Sequence, residues 1–219
     1  MKVALMACLC YLIGCINPAY FIGKAKGFDI RSRGSLNAGA SNVVINVGKK
    51  AGVFTALFDM FKSFFCFKLG GTLFPLIPFA AVLCAVMCVM GHIFPFYLRF
   101  KGGKGFACLG GLILSFNFKV FLIMLLCAVL VVLAVDYLCV VTSLTSLSFP
   151  IVYFSMTGDL LGAILLLFIG LVIISRHFPN FKRIKIGTEA RFSGLWHRED
   201  EERRLRNNIE KQSEEEAKK

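Results

Sequence analysis

The sequence predicts an all-α, polytopic membrane helix bundle of about seven transmembrane helices, and three observations carry that expectation. Apolar residues make up 57% of the 219 residues, with a mean hydropathy of +0.73, above the roughly 45–50% apolar usage of soluble domains. The excess is gathered into long unbroken blocks, more than a soluble core of this size can bury. Charge is sorted along the chain. Before Arg176 there are 13 Lys and Arg against four acids, Asp29, Asp59, Asp136 and Asp159, and the other nine acids all follow it.

Crossing a hydrocarbon layer of roughly 30 Å takes about 20 apolar residues. Seven segments meet or approach that need, at about 3–23, 51–71, 77–97, 105–117, 119–139, 142–157 and 160–175. The first run lacks the small-residue cleavage pattern of a signal peptide and is expected to be the first membrane helix. The fourth is short and opens at Gly102-Gly103-Lys104-Gly105, so it is expected to start inside a water-filled cavity, where irregular backbone is tolerated at membrane depth. Within the second, Asp59 and Lys62 are three residues apart on one helical face and are expected to pair, as buried ionisable groups must, in a cavity that belongs to the site itself, as a structural ion pair ahead of a direct substrate role.

Alternating sides collects the loops at 24–50, 98–104 and 136–143 and the chain from 176 onward on one face. Lys24, Lys26, Arg31, Arg33, Lys49, Lys50, Arg99, Lys101, Lys104, Arg176, Lys182, Arg183 and Lys185 lie there, whereas the opposite loops hold little beyond Lys119 and Asp159. The positive-inside rule makes the basic face cytoplasmic, with the N-terminus outside and the C-terminus cytoplasmic. Basic residues confined to short loops between spans suit anionic lipid headgroups or anionic substrates, not nucleic acid. The nine cysteines show neither metal-ligand spacing nor a disulfide framework, and no cofactor or metal is expected.

Three polar segments interrupt the apolar pattern, all on the basic face. The first, Arg33-Gly34-Ser35-Leu36-Asn37-Ala38-Gly39-Ala40-Ser41-Asn42, is rich in small residues, hydroxyls and amides, and running into a helix near Val43 it suggests an anion nest. The second is Gly91-His92-Ile93-Phe94-Pro95 followed by Phe100-Lys101-Gly102-Gly103-Lys104-Gly105. Its glycines would let backbone and ammonium meet one phosphate together, although the spacing is not that of a P-loop. The third, Arg176-His177-Phe178-Pro179-Asn180-Phe181-Lys182-Arg183-Ile184-Lys185-Ile186-Gly187-Thr188-Glu189, follows the last span. A basic cluster that merely held acidic lipids would need neither His177 nor Asn180.

Taken together these residues resemble the bacterial acyl-phosphate:glycerol-3-phosphate acyltransferase family. The resemblance lies in four places over most of the chain: G-S-x-N-x-G-A-[ST]-N at 34–42, G-K-K-A-G with D-x-x-K at 48–62, G-H-x-F-P then F-K-G-G-K-G at 91–105, and R-H-x-x-N-x-x-R with G-T-E at 176–189. It implies attack by the 1-hydroxyl of glycerol-3-phosphate on the carbonyl of a fatty acyl phosphate, giving lysophosphatidic acid and phosphate in the first step of phospholipid synthesis, at the inner cell membrane. The His-x-x-x-x-Asp pair of the other large glycerolipid acyltransferase class is missing, since Tyr97 follows His92 and Lys182 follows His177 at that offset.

Carried over by position, the resemblance makes Ser35, Lys104, His177 and Asn180 the catalytic group. It gives substrate-binding roles to Arg33, Asn37, Gly39, Ser41, Asn42, Lys49, His92, Gly102, Gly103 and Ser143. The chain departs from the family where an arginine usually stands, at Ile45, for which Arg33, Lys49 or Lys50 could substitute. The expected division is a transmembrane acyltransferase domain at 1–175, a juxtamembrane motif at 176–191 and a charged cytoplasmic tail at 192–219, a solvated helix or a disordered tail without a catalytic role. A transporter or flippase-like binder of an anionic lipid or phosphate ester is the competing class, as is a paralogue with another acceptor. Against transport, no inverted repeat is evident and the polar motifs share one side.

Overall fold

A computed structural model of the chain describes residues 1–217, and within them every regular element is helical, with no strand. The helices are α1 (Lys2–Cys15), α2 (Pro18–Ala25), α3 (Ala40–Asn46), α4 (Lys49–Leu73), α5 (Ala80–Ile93), α6 (Phe106–Phe116), α7 (Phe118–Val135), α8 (Leu138–Thr157), α9 (Leu160–Ser175), α10 (Phe178–Lys185) and α11 (Arg198–Ala217). Each of the seven apolar segments falls on one of these helices or on a broken pair. The first is divided between α1 and α2, where Pro18 opens α2 and the Asn17 side chain caps it by accepting from Tyr20 N, the arrangement expected of Asn before a proline-started helix.

Four stretches are long and apolar enough to cross a membrane: Lys2–Ala25, Ala80–Leu98, Phe118–Val135 and Leu138–Thr157. Helices α9 and α10, bent by 43° at their junction, add a fifth if taken as one. Helix α4 has the length, 25 residues, but carries Lys49, Lys50, Asp59, Lys62 and Lys68. Helix α6 has only 11 residues, about 16 Å at 1.5 Å per residue, so the fourth segment is short in three dimensions as well. Helix α7 buries just Val120 and Val132 of its 18 residues, leaving Leu122, Ile123, Leu126, Leu130 and Leu133 uncovered. A helix so apolar and so exposed belongs in hydrocarbon, where it satisfies its own backbone groups.

Helix α5 is the hub. Eleven of its 14 residues are buried and it packs on α1, α4, α6 and α9. It approaches α1 closely because Gly14 lies on the Cys88 carbonyl and Gly91 on the Tyr11 carbonyl, so a methyl group at either position would strike backbone. Small residues facing one another are the usual means of tight helix contact in a membrane. The main core joins Val82, Val89 and Ile93 to Leu109, Leu112, Phe149, Leu166, Ile169 and Ile173. All nine cysteines are free thiols, and Cys10, Cys66, Cys84 and Cys88 form a buried cluster between α1, α4 and α5.

The charged end of the chain forms the largely exposed helix α11, and the segment before it is tied to the bundle. Phe192 N donates to the Asp136 carbonyl at 2.8 Å, and Ser193 donates to the Asp136 carboxylate through N at 2.7 Å and Oγ at 2.6 Å. These bonds fasten the segment before α11 to the α7–α8 turn.

Candidate functional site

The first polar segment is shaped by hydrogen bonds within itself. Asp29 caps the 3-10 turn Ile30–Ser32 by accepting from Arg31 N at 2.9 Å. The Arg31 guanidinium pairs with Asp29 at 2.7 Å and donates to the Leu98 carbonyl at 2.8 Å, which ties this segment to the second. Asn42, almost fully buried, holds the loop between the 3-10 turn and α3. Its Nδ2 reaches the carbonyls of Ile30, Arg33 and Asn37 at 2.7–3.0 Å, and its Oδ1 accepts from Ser35 N and Asn46 Nδ2 at 2.9 Å. With donors and acceptor all engaged, Asn42 shapes the loop and does not face a ligand. The same bonds turn Ser35, Leu36 and Asn37 outward.

The glycines of the second segment do a different job from the one their composition suggests. Gly102 N donates to the Ile93 carbonyl and Gly103 N to the His92 carbonyl, both at 3.0 Å. The loop is thereby folded back onto the end of α5, and both glycine N–H groups are unavailable to a phosphate. A Cβ at 102 would meet the His92 carbonyl and one at 103 the His92 ring, so only glycine permits this fold. Gly105, at φ +91°, then starts α6. The product is the placement of Lys104, whose Nζ donates to Asn180 Oδ1 at 2.6 Å.

The third segment begins at the α9–α10 bend. Arg176, Pro179, Asn180 and Arg183 are spaced i, i+3, i+4 and i+7, which sets them on one face. Ser35, Leu36, Asn37, Lys104, Ser175, Arg176, Pro179, Asn180 and Arg183 line a cleft of about 160 Å³. Asn180 Nδ2 donates to Glu189 Oε1 at 2.6 Å, and Arg183 Nε pairs with Glu189 Oε2 at 2.7 Å. The cleft therefore holds Lys104, Arg176 and Arg183 (+3) against Glu189 (−1), a net of +2. Arg176 Nε is buried without a hydrogen-bond partner among the described residues.

Burial pushes the Lys104 ammonium down to about 8, with repulsion from Arg183 and Arg176 in the same direction and Glu189 opposing. His177 is held lower still, at about 3, by burial and then by Lys104 and Arg176. Its imidazole is therefore neutral, and neither ring nitrogen has a partner among the described residues. It is not among the residues that line the cleft.

Of the 14 residues singled out in the sequence, Ser35, Asn37, Lys104 and Asn180 line the cleft, with His177 beside them. The others do not line it. Arg33 stacks its guanidinium 4.4 Å from the Phe28 ring. Gly39 is the N-cap of α3, and Ser41 is exposed on its first turn. Lys49 is exposed at the start of α4. Ser143 Oγ donates within α8 to the Cys139 carbonyl at 2.8 Å. Ile45 is exposed on α3, outside the lining. Sequence reasoning assigned no role to Arg176, Arg183 or Glu189. The helical spacing of 176, 179, 180 and 183 was the signal for the first two.

His92 belongs to a buried ion cluster beneath Gly103. Lys62 Nζ lies 2.8 Å from Asp59 Oδ1, 3.1 Å from His92 Nδ1, and donates to the Gly14 and Ile16 carbonyls at 3.0 and 2.8 Å. The pair expected at 59 and 62 is thus present, under the glycine loop and outside the cleft. Donor atoms of Asp59, His92 and Cys108 lie within 4.8 Å of one another, but the Lys62 ammonium already stands where a cation would bind.

Similarity to known proteins extends over most of the chain. Residues 4–187 match the family described as glycerol-3-phosphate acyltransferase. The chain is 36% identical over 198 residues to the glycerol-3-phosphate acyltransferase of Macrococcus caseolyticus, covering 87% of this chain and 97% of that one. It is 33% identical over 202 residues to that of Bacillus subtilis, covering 89% and 100%. Among solved structures it superposes on PlsY (YgiH), an integral membrane glycerol 3-phosphate acyltransferase, in its glycerol 3-phosphate form, with a TM-score of 0.82 and 30% identity over 89% of this chain and 98% of that one. The lysophosphatidic acid form gives 0.78 and 29%. The chain belongs to the glycerol-3-phosphate acyltransferase family.

Proposed function

We propose that the protein is a membrane glycerol-3-phosphate acyltransferase that takes its acyl group from acyl phosphate, at the cytoplasmic face of the bacterial cell membrane, through seven crossings with the N-terminus outside. The observation that carries this reading is the net +2 cleft, which complements a phosphate dianion, and both substrates bring a phosphate. Arg176 and Arg183 offer guanidinium donors suited to a phosphate, and Lys104 adds a point charge. Asn180 fixes Lys104, and Ser35 with Asn37 forms the facing wall.

The hydroxyl oxygen of the acceptor attacks the acyl carbonyl carbon, the carbon–oxygen bond to phosphate breaks, and the hydroxyl proton leaves on the departing phosphate. Among the described residues neither Ser35 nor Ser175 bonds through its hydroxyl to an imidazole or a carboxylate, which favours direct transfer over an acyl-enzyme. Catalysis then rests on alignment and on electrostatic stabilisation of the oxyanion.

Purified protein given acyl phosphate and glycerol-3-phosphate is expected to release lysophosphatidate and phosphate in equal amounts, and acyl-CoA alone is expected to give none. Efficient turnover with acyl-CoA in a preparation free of acyl phosphate overturns the donor assignment. Reporters at the two termini test the topology, which is wrong if both ends lie on one side.

A further inference from the structure

We infer that α11 sets the geometry of the Lys104–Asn180 pair through Arg204, which clamps the backbone behind Glu189. The guanidinium of Arg204 donates through Nη1 to the Gly187 carbonyl at 2.8 Å and through Nη2 to the Glu189 carbonyl at 2.7 Å. Glu201, one turn earlier, holds it in place, pairing with Nε at 2.9 Å and Nη2 at 2.6 Å. Asn208 Nδ2 gives the Gly187 carbonyl a second donor at 2.8 Å, and Glu201 Oε1 also accepts from Arg191 N at 2.8 Å.

The clamped carbonyls follow the end of α10, where Gly187 turns the chain at φ +75° and carbonyls near a helix end lack intrahelical partners. From here the chain leads into the cleft. The Glu189 carboxylate holds Asn180 and Arg183, and Asn180 holds Lys104. Displacement of the 187–189 backbone therefore reaches the ammonium through two short contacts, Glu189 to Asn180 and Asn180 to Lys104.

The planar fork matters because it meets two carbonyls and a carboxylate at once, which an ammonium on a flexible stem cannot do. The family match ends at residue 187, so the clamp is supplied by chain beyond the matched region. Arg204 is a positioning residue: it touches no substrate and acts through the Glu189 backbone. The inference rests on the acyltransferase reading of the cleft, and its test includes a measurement that does not.

The test uses the full chain with acyl phosphate and glycerol-3-phosphate. Arg204→Ala should lower kcat/KM for glycerol-3-phosphate about tenfold, since misplacement by an ångström at a reacting site costs up to roughly 10²-fold. The melting temperature should be nearly unchanged. Arg204→Lys should fail to restore the rate, and Arg203→Ala, exposed on the same helix, should stay within about twofold of the parent if position matters more than charge. In a Glu189→Gln background, Arg204→Ala should add little, because both act through one carboxylate.

Activity of Arg204→Ala within about twofold of the parent, full rescue by lysine, or additive losses in the double variant would each overturn the clamp. Hydrogen exchange at the amides of Thr188 and Glu189, which donate to the Arg183 carbonyl at 2.8 and 3.2 Å, reads the clamp without turnover. Arg204→Ala should speed that exchange, and Asn208→Ala, a milder lesion, should do so less. Unchanged exchange in both overturns the clamp even if the parent protein proves inactive, an outcome that would count against the acyltransferase reading alone.

Discussion

Two clusters of charge lie back to back in this protein, separated by the glycine loop, and they are built on opposite terms. In the first, Asp59, Lys62 and His92 are 2–4% exposed, and the single ammonium meets the carboxylate, the imidazole and two backbone carbonyls. The Lys62 ammonium is matched by the Asp59 carboxylate, and its hydrogens are taken up. In the second, three cations, Lys104, Arg176 and Arg183, stand against one carboxylate among the described residues, that of Glu189, and Arg176 Nε has no partner among them. Buried charge is costly unless paired and hydrogen-bonded, so the matched cluster acts as a joint between α1, α4 and α5. The cationic excess is tolerable only at an open cleft that receives an anion.

The sharpest way to break the comparison is to unmatch the first cluster. Lys62→Met strands the Asp59 carboxylate and the Gly14 and Ile16 carbonyls. Removing one member of a buried pair costs about 3–5 kcal/mol, so the variant should unfold at markedly lower temperature in detergent. Asp59→Leu combined with Lys62→Met should recover much of the loss, because no bare charge remains. A single variant as stable as the parent would mean that the cluster is not a joint.

The second cluster should answer differently. Lys104→Ala and Arg176→Ala should each lower kcat/KM by on the order of 10²-fold, the scale of one lost electrostatic contact in a transition state, with little change in melting temperature. A charge serving only to hold anionic lipid is worth about 1 kcal/mol, so the size of the effect separates a substrate site from an anchor. Ser35→Ala and His177→Ala should also lower activity in folded protein, by less than Lys104→Ala, since each removes a neutral group. Near-parental rates in all four variants would leave the cleft without a role.

Much of this was legible in the sequence because hydrophobic blocks and spacing report on helices directly. The seven segments, the Asp59–Lys62 pair and the convergence of three polar segments at one end all follow from pattern. Which polar atoms remain free did not, because that depends on contacts distant in the chain. Asn42, His92, Gly102 and Gly103 look like ligand contacts by composition, yet their polar groups are engaged with Ile30, Lys62, Ile93 and each other. Arg176 and Arg183 look like members of a lipid-binding cluster until the α9–α10 bend turns one face of that cluster onto Lys104. The charged end reads in the sequence as a solvated helix or a disordered tail, and no local pattern announces that Arg204 and Asn208 find partners on Gly187.

The smallest effect expected is a pH dependence, and it distinguishes the cleft from a mere anionic-lipid anchor by its midpoint. In the free protein Lys104 titrates at about 8, lowered by burial and by Arg183 and Arg176 against the pull of Glu189. Below pH 8 the ammonium is present and kcat/KM for glycerol-3-phosphate should be independent of this group. Above it, each pH unit should remove about a factor of ten, as for any essential protonated group of the free enzyme. Stability runs the other way. The unfolded chain keeps the lysine proton up to the ordinary 10.5, so between about pH 8 and 10.5 it binds more protons than the folded one, and this group makes folding more favourable as pH rises. Loss of activity above pH 8 in a protein that has not become less stable is therefore the signature of Lys104. Glu189→Gln should move the midpoint down, because the carboxylate that favours the ammonium is gone. A basic limb near the ordinary lysine value, or one indifferent to Glu189→Gln, would show that Lys104 does not set the acceptor's phosphate affinity.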